Sequence, residues 1–397
     1  MPRSRPAAIL GSLLLLALTL GPLGWFAWRP QPQHHQLTFF RPSNSAVAEL
    51  TQRVRDGESA DSLGRIPIEL ELATKLFGLD HPYNRYDSQA YYTHELNLDL
   101  RRSFKEHPDG SWTMRTNAHA MRRDTEPDTT APDLRVLVVG DSHVDGICNN
   151  AENLCAIAES ALEAEYPNAS IEILNAARGG HSPWNYLGVI EKHLALVPDV
   201  VVVTLFGGND FTDVLLLAHA FEGTNSRGLT PASKARRKEA LAKSRYVLGQ
   251  GYGSLLFFKD RPAELDFALE TTTRILDQIE QTCRDAGAEL LLLYLPSPLS
   301  LHFADPPRGK PEVRAILELS VEDLARSHTL KTSILRAATE LGITTHDLTP
   351  TLEECADACF WKTDLHLSVI GHQRIGSLLA DLLQSLPGAA DRLRAPR

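Results

Sequence analysis

Residues 134–143 are Leu-Arg-Val-Leu-Val-Val-Gly-Asp-Ser-His, and the first six form a short apolar run rich in β-branched side chains. Such a run, ended by a glycine, predicts a buried strand. Similar runs follow along the chain, at 171–174, 200–206, 290–295 and 343–346. Segments with helical spacing lie between and after them, at 151–165, 186–196, 264–286, 332–341 and 371–385. Strands that alternate with helices predict an α/β fold with a parallel sheet covered on both faces, in which the first four strands are parallel neighbours.

The loop after the first predicted strand holds the first candidates for chemistry. In a parallel sheet, ligands bind beyond the carboxyl ends of the strands. Gly140, Asp141, Ser142 and His143 occupy that position. A serine there is exposed, close to helix N-terminal amides that can stabilise an oxyanion. Because Gly, Asp and Ser are also ordinary turn residues, this motif alone is weak evidence for a nucleophile.

Two further loops reach the same edge of the predicted sheet. Residues 207–210, Gly-Gly-Asn-Asp, directly follow the third strand. The side-chain amide of Asn209 can donate to an oxyanion, although a turn with an asparagine helix cap is the plainer alternative. Gly207 and Asp210 would support that turn. Gly180, after the second strand, permits a close approach of its backbone N–H to a ligand.

A candidate base and its partner lie near the C-terminus. A serine hydroxyl is a poor nucleophile and needs a base within hydrogen-bonding distance. His366 can take the proton, and Asp364 can orient the imidazole and stabilise its charged form. A histidine in a loop is more often structural, so this interpretation depends on the other motifs.

The four motifs together resemble those of the SGNH/GDSL hydrolases: Gly-Asp-Ser at 140–142, Gly180, Gly-Gly-Asn-Asp at 207–210, and Asp364 with His366. The resemblance covers residues 134 to 386. It implies a flavodoxin-like three-layer fold and acyl-ester chemistry through an acyl-Ser142 intermediate, with no metal and no organic cofactor. It also implies an oxyanion hole formed by the N–H groups of Ser142 and Gly180 and the side chain of Asn209.

The chain departs from the common family pattern in two places. The usual aspartate stands three residues before the histidine, whereas position 363 is Thr and Asp364 stands two before His366. This shorter spacing is similar to that of bacterial alginate-type polysaccharide O-acetylation proteins. His143 replaces the usual Leu or Phe after Gly-Asp-Ser, and we expect it to line the pocket or to be structural, as we expect Asp141 to support the site.

The N-terminal region predicts export. Arg3 and Arg5 precede an apolar run from Ala7 to Trp28, which as a helix would span about 30 Å, the thickness of a bilayer core. We expect residues 1–30 to be a membrane anchor, or alternatively a cleaved signal, with the rest of the chain in the bacterial periplasm. Residues 31–133 are predicted to be a linker and an accessory segment. The hydrolase domain is predicted at 134–390, with insertions at about 213–262 and 304–328 that either overhang the site or are surface decoration.

The five cysteines agree with an oxidising compartment. Cys148 and Cys155 lie seven residues apart, Cys355 and Cys359 lie four apart, and Cys283 is left over. The two close pairs are candidates for short-loop disulfides, and we expect Cys148 and Cys155 to be oxidised. The alternative is that all five are buried thiols.

The net charge of −10 argues against nucleic acid as a partner. The expected substrate is an acylated small molecule or a cell-envelope glycan, which the enzyme would deacetylate or acetylate. Two other functions stay open at this point. One is a non-enzymatic glycan-binding or assembly protein on the same scaffold. The other is a metallophosphoesterase that uses the Asp-x-His pairs at 141–143 and 364–366 as metal ligands.

Overall fold

The computed structural model describes residues 43–225, 228–244, 248–301, 310–355 and 358–394. From residue 43 on, where the structure describes it, the predicted accessory segment forms two helices and two antiparallel hairpins. The helices are α1 (Asn44–Arg55) and α2 (Leu70–Phe77). Strand β1 (Asn84–Asp87) pairs with β2 (Tyr91–His94), and β3 (Asp99–Ser103) pairs with β4 (Ser111–Arg115).

A five-stranded parallel sheet forms the centre of the remaining chain. Its strands are β5 (Leu134–Val139), β6 (Ile171–Asn175), β7 (Val200–Phe206), β8 (Glu289–Leu295) and β9 (Thr344–Asp347). They are ordered β6-β5-β7-β8-β9, and every pairing is parallel. The predicted parallel α/β sheet is therefore confirmed, with its first four strands adjacent. Numbered along the chain, the order is 2-1-3-4-5, which is the order of flavodoxin-like doubly wound sheets.

Helices cover both faces of this sheet. Alternate strand residues point to opposite faces, so Val136 and Val138 belong to one core while Leu137 and Val139 belong to the other. The first core is closed by α4 (Leu154–Glu165) and α13 (Val369–Ser385), with α12 (Thr349–Glu353) and α14 (Pro387–Arg394) beside them. The second core is closed by α5 (Pro183–His193), α6 (Asp210–Phe221), α9 (Pro262–Ala286) and α11 (Val321–Glu340). Because both faces are buried, the strands are apolar throughout instead of alternating with polar residues.

The two predicted insertions pack against each other in a third apolar cluster. The first contributes α7 (Pro231–Lys243), an irregular turn at Leu248–Tyr252 and α8 (Gly253–Asp260). The second contributes α10 (Pro311–Ile316) and the first turn of α11. Helix α11 starts earlier than the predicted residue 332 because the Ser320 side chain caps it by accepting the Asp323 N–H. The cluster also contains Leu365, the residue between the predicted aspartate and histidine.

The predicted N-terminal anchor, residues 1–30, lies outside the described residues. Within the described ranges, no helix is long and apolar enough to cross a membrane.

The cysteine pairing differs from the prediction. Cys355 and Cys359 form a disulfide, but Cys148 and Cys155 are buried free thiols, so the predicted oxidation of that pair is wrong in this structure. Cys155 lies on α4 and packs into the core beneath the sheet. Cys148 lies in the preceding loop, where its carbonyl accepts a hydrogen bond from Arg122. The two thiols are not bonded to each other, and burial raises the pKa of both.

Candidate active site

The turn that carries Ser142 is fixed by its neighbours. Strand β5 ends at Val139, and the short helix α3 (Ser142–Asp145) begins after two intervening residues. Asp141 caps this helix, because its Oδ1 accepts the His143 N–H at 2.9 Å. Gly140 has no room for a side chain, since a Cβ there would lie 2.5 Å from Val144 Cγ2. This packing presents Ser142 at the carboxyl end of a central strand.

The structure brings Ser142, His366 and Asp364 together. Ser142 Oγ lies 2.8 Å from His366 Nε2. His366 Nδ1 lies 3.4 Å from Asp364 Oδ2, and the His366 backbone N–H donates to Asp364 Oδ1 at 3.0 Å. The serine proton thus faces one ring nitrogen and a carboxylate faces the other, which is the arrangement a serine nucleophile requires.

The carboxylates around His366 stabilise the protonated form of its ring. Burial lowers its pKa, but the negative charge of Asp364, helped by those of Asp141 and Asp145, outweighs burial and raises the pKa above its ordinary value. Asp141 Oδ2 lies 3.3 Å from Ser142 Oγ, and burial raises the pKa of the Asp141 carboxyl to about 6. An imidazole stabilised in its charged form accepts a proton more readily from an attacking hydroxyl.

The loop that holds Gly180 lies against Ser142. A Cβ on Gly179 would be 3.5 Å from Ser142 Cβ, and the Gly179 N–H donates to Asp145 Oδ2 at 3.0 Å. Gly180 has φ of +84°, and a Cβ there would lie 3.0 Å from the Tyr92 hydroxyl. A side chain at position 180 would therefore be both strained and crowded, which accounts for the glycine there.

The third expected oxyanion donor, Asn209, makes a protein contact in the structure. Its Nδ2 donates to Asp213 Oδ2 at 2.7 Å. An amide nitrogen carries two hydrogens, so this bond orients the group and leaves one N–H for a ligand.

The residues that flank Asn209 hold the turn after β7. Asp210 accepts the Phe206 N–H at 2.8 Å and the Tyr186 hydroxyl at 2.9 Å. A Cβ on Gly207 would lie 2.1 Å from the Tyr294 hydroxyl. Gly207 and Asp210 therefore support the site without facing its nucleophile.

The Asp-x-His spacing is accommodated by an unusual backbone conformation. Leu365 has φ of +64°, a left-handed value that a leucine rarely adopts. Its side chain is buried in the apolar cluster formed by the two insertions. On the other side, Glu106 accepts the backbone N–H of Lys362 at 2.5 Å and that of Thr363 at 2.8 Å. Thr363 thus contacts the accessory segment, and Asp364 is the residue of this loop that faces the His366 ring.

Sequence reasoning missed a buried ionic group behind Ser142. Asp145, three residues further along the chain, contacts His94 Nε2 at 3.0 Å, and it lies 3.8 Å from the guanidinium groups of Arg122 and Arg178. Burial raises the pKa of Asp145, but His94 and the two arginines outweigh burial and hold the pKa below its usual range. His94 and Arg122 belong to the accessory segment, so their role had no local sequence signal.

Asp141 and His143, one of the two predicted pairs of metal ligands, do not point their side chains toward one common position. Asp141 Oδ1 accepts the His143 backbone N–H, while His143 Nε2 lies 2.7 Å from Gln250 Oε1. Across the described ranges, no group of three or more His, Cys, Asp or Glu side chains is arranged to hold a metal ion. The geometry therefore gives the metallophosphoesterase alternative no support.

Comparison with known proteins matches no family model and no curated protein. Among solved structures, the chain is similar to an alpha/beta hydrolase enzyme from the metagenome of Lake Arreo, Spain, with 15% identity, 67% of this chain and 99% of that chain covered, and a TM-score of 0.38. An acetyl-xylooligosaccharide esterase from Geobacillus has 15% identity, coverages of 64% and 95%, and a TM-score of 0.37. A putative SGNH hydrolase from Slackia heliotrinireducens has 16% identity, coverages of 62% and 97%, and a TM-score of 0.34. At these values the similarity carries no inference about activity or substrate, but the solved structures to which this chain is similar do include hydrolases of the SGNH type.

Proposed function

We propose that this chain is a serine esterase that cleaves acyl esters through an acyl-Ser142 intermediate. The observation that carries the proposal is the 2.8 Å contact between Ser142 Oγ and His366 Nε2, with Asp364 at the opposite ring nitrogen. More than 200 residues of the sequence separate Ser142 from Asp364 and His366, and a shared active site explains why the three side chains converge.

The reaction follows from this geometry. The Ser142 hydroxyl attacks the ester carbonyl while its proton passes to His366 Nε2, and Asp364 stabilises the imidazolium. The bond from the carbonyl carbon to the leaving oxygen then breaks, and that oxygen takes the proton from Nε2. Water or a sugar hydroxyl attacks the acyl-serine and gives its proton to Nε2. The bond from the acyl carbon to Ser142 Oγ then breaks, and Oγ takes that proton back from Nε2. In both acylation and deacylation, the oxyanion accepts hydrogen bonds from the backbone N–H groups of Ser142 and Gly180 and from the free side-chain N–H of Asn209.

We further propose that the acyl group is acetyl and that the substrate is a cell-envelope glycan, deacetylated by the enzyme or acetylated by it. The apolar N-terminal segment supports an envelope location, with the catalytic domain in the periplasm. The disulfide between Cys355 and Cys359 supports an oxidising compartment. The Asp-x-His spacing supports the link to polysaccharide O-acetylation.

Mass spectrometry of the intact protein tests this function. The wild-type chain should gain one adduct from a fluorophosphonate and a transient acetyl group from an activated acetate ester. Ser142→Ala should gain neither, whereas Ser385→Ala, which changes an exposed serine on α13, should behave as wild type. Released acetate measured against acetylated sugar then distinguishes hydrolysis from transfer. Absence of any adduct on the folded wild-type protein would favour a non-enzymatic scaffold.

A further inference from the structure

The first insertion places one buried side-chain amide beside the proposed base. Gln250 is 5% exposed and lies in the irregular turn at Leu248–Tyr252. Its Nε2 is 3.4 Å from His366 Nε2, and its Oε1 is 2.7 Å from His143 Nε2. The two imidazole rings lie close together, with centroids 4.8 Å apart. Gln250 therefore bridges the residue that follows the nucleophile and the residue that deprotonates it.

His143 fixes which way this amide points. His143 Nδ1 is buried and has no hydrogen-bond partner among the described residues, so the ring hydrogen is satisfied only on Nε2. A carboxamide oxygen only accepts hydrogen bonds, so it is the Gln250 oxygen that faces this Nε2–H. Burial and the charge of His366 hold the pKa of His143 well below its ordinary value, which keeps this ring neutral. With the oxygen bound to His143, the NH₂ group of Gln250 faces His366. This contact also accounts for a histidine at position 143, where the resemblance led us to expect Leu or Phe, neither of which can hold the amide.

The backbone around Gln250 is anchored to the loops that follow two sheet strands. The Gln250 carbonyl accepts the Ser297 hydroxyl beyond β8. Gly251 has φ of +140°, and a Cβ there would lie 2.5 Å from Ser297 Oγ, so a glycine is needed for this approach. Ser254 donates to the Gly208 carbonyl beyond β7 at 2.6 Å. The amide is thus held in place before a substrate binds.

We propose that Gln250 donates a hydrogen bond to the leaving oxygen of the ester, and that His143 is the residue that positions it. This inference rests on the proposed esterase function. During acylation the leaving oxygen takes a proton from His366 Nε2, so it must come within about 3 Å of that nitrogen. A donor 3.4 Å from the same nitrogen is within hydrogen-bonding distance of that oxygen when the two lie on the same side of the ring. As the carbon–oxygen bond breaks, the electron pair moves onto that oxygen, which the Gln250 N–H stabilises until the proton arrives. In deacylation the same N–H orients the attacking hydroxyl or water.

A series of acetate esters with different leaving groups tests this role. Alkyl leaving groups form strongly basic oxyanions and need the donor, whereas p-nitrophenolate is stable without it. Gln250→Met keeps most of the side-chain volume and removes both N–H donors. We expect its kcat/KM to fall about tenfold more on alkyl acetates than on p-nitrophenyl acetate, the size of one hydrogen bond. His143→Leu should show the same dependence on the leaving group, and it serves as a second variant if Gln250→Met does not fold.

The controls separate failure of this inference from failure of the esterase proposal. Gln384→Ala, a glutamine on α13 that contacts Tyr166, should match the wild type on every ester. Fluorophosphonate labelling of Ser142 should persist in both variants, which shows that the triad is assembled. Equal losses on all esters, or no loss on any, would overturn the role of Gln250 and leave the esterase intact. No hydrolysis and no labelling of the wild type would refute the proposed function itself.

Discussion

Replacement of Asp364 by asparagine removes the negative charge that faces His366 while it keeps nearly the same side-chain shape. The carboxylate oxygen lies 3.4 Å from Nδ1 of the ring. Two unit charges at that distance interact by ~5 kcal/mol at an effective dielectric constant of ~20. Part of this energy offsets the cost of keeping Asp364 buried, so we expect a loss of ~3–5 kcal/mol in transition-state stabilisation. That corresponds to a fall of ~10²- to 10⁴-fold in kcat/KM.

The measurement is the pH dependence of kcat/KM for an activated acetate ester. His366 acts as a base in its neutral form, so activity falls as the pH drops through its pKa. Because Asp364 raises that pKa, the wild-type acid limb should lie above the ordinary histidine value, and Asp364→Asn should move it to lower pH. Glu264→Gln is the matched control, since it removes the carboxylate 2.7 Å from His219 in a pair outside the site.

Two results would refute this reasoning about Asp364. One is a kcat/KM within threefold of the wild type in Asp364→Asn with an unmoved acid limb. The other is an equal loss in Glu264→Gln, which would indicate a general effect of removing a buried charge. Thermal unfolding of both variants shows whether a rate loss reflects the site or the fold.

Three further predictions concern the oxyanion donor, the catalytic loop and the disulfide. Asn209→Ala should lower kcat/KM about a hundredfold, or ~3 kcal/mol, while fluorophosphonate still labels the nucleophile, and a loss below threefold would exclude the proposed oxyanion donor. Leu365→Ala should destabilise the chain to denaturant by ~2–4 kcal/mol, and Leu365→Gly should be more stable than the alanine variant because it removes the left-handed strain at φ of +64°; the opposite order would contradict that strain. Reduction of Cys355–Cys359, which closes a short loop, should lower the free energy of unfolding by ~2 kcal/mol, and the same reductant should leave the Cys355→Ser, Cys359→Ser double variant unchanged.

The central sheet was predictable because its strands carry their own signal. Runs such as Val200–Phe206 are apolar on every residue, a pattern that indicates a strand buried on both faces. The first residue of a helix was harder to predict, because a helix start such as that of α11 depends on one capping side chain. The first insertion begins later than the predicted residue 213, because Asp210–Phe221 is a regular helix that covers the sheet and the departure from the alternating pattern begins only after it.

By itself, the sequence determined the parallel α/β architecture and the candidate residues Ser142, Asp364 and His366, because local patterns place each of them just beyond a strand or before a helix. Only the tertiary structure decided what surrounds them. It placed Gln250 against His143 and His366, and it left Cys148 without the partner that its spacing had suggested. The physical reason is that hydrogen bonds and burial depend on distances between segments far apart in the chain, and neither periodicity nor spacing along a sequence encodes those distances.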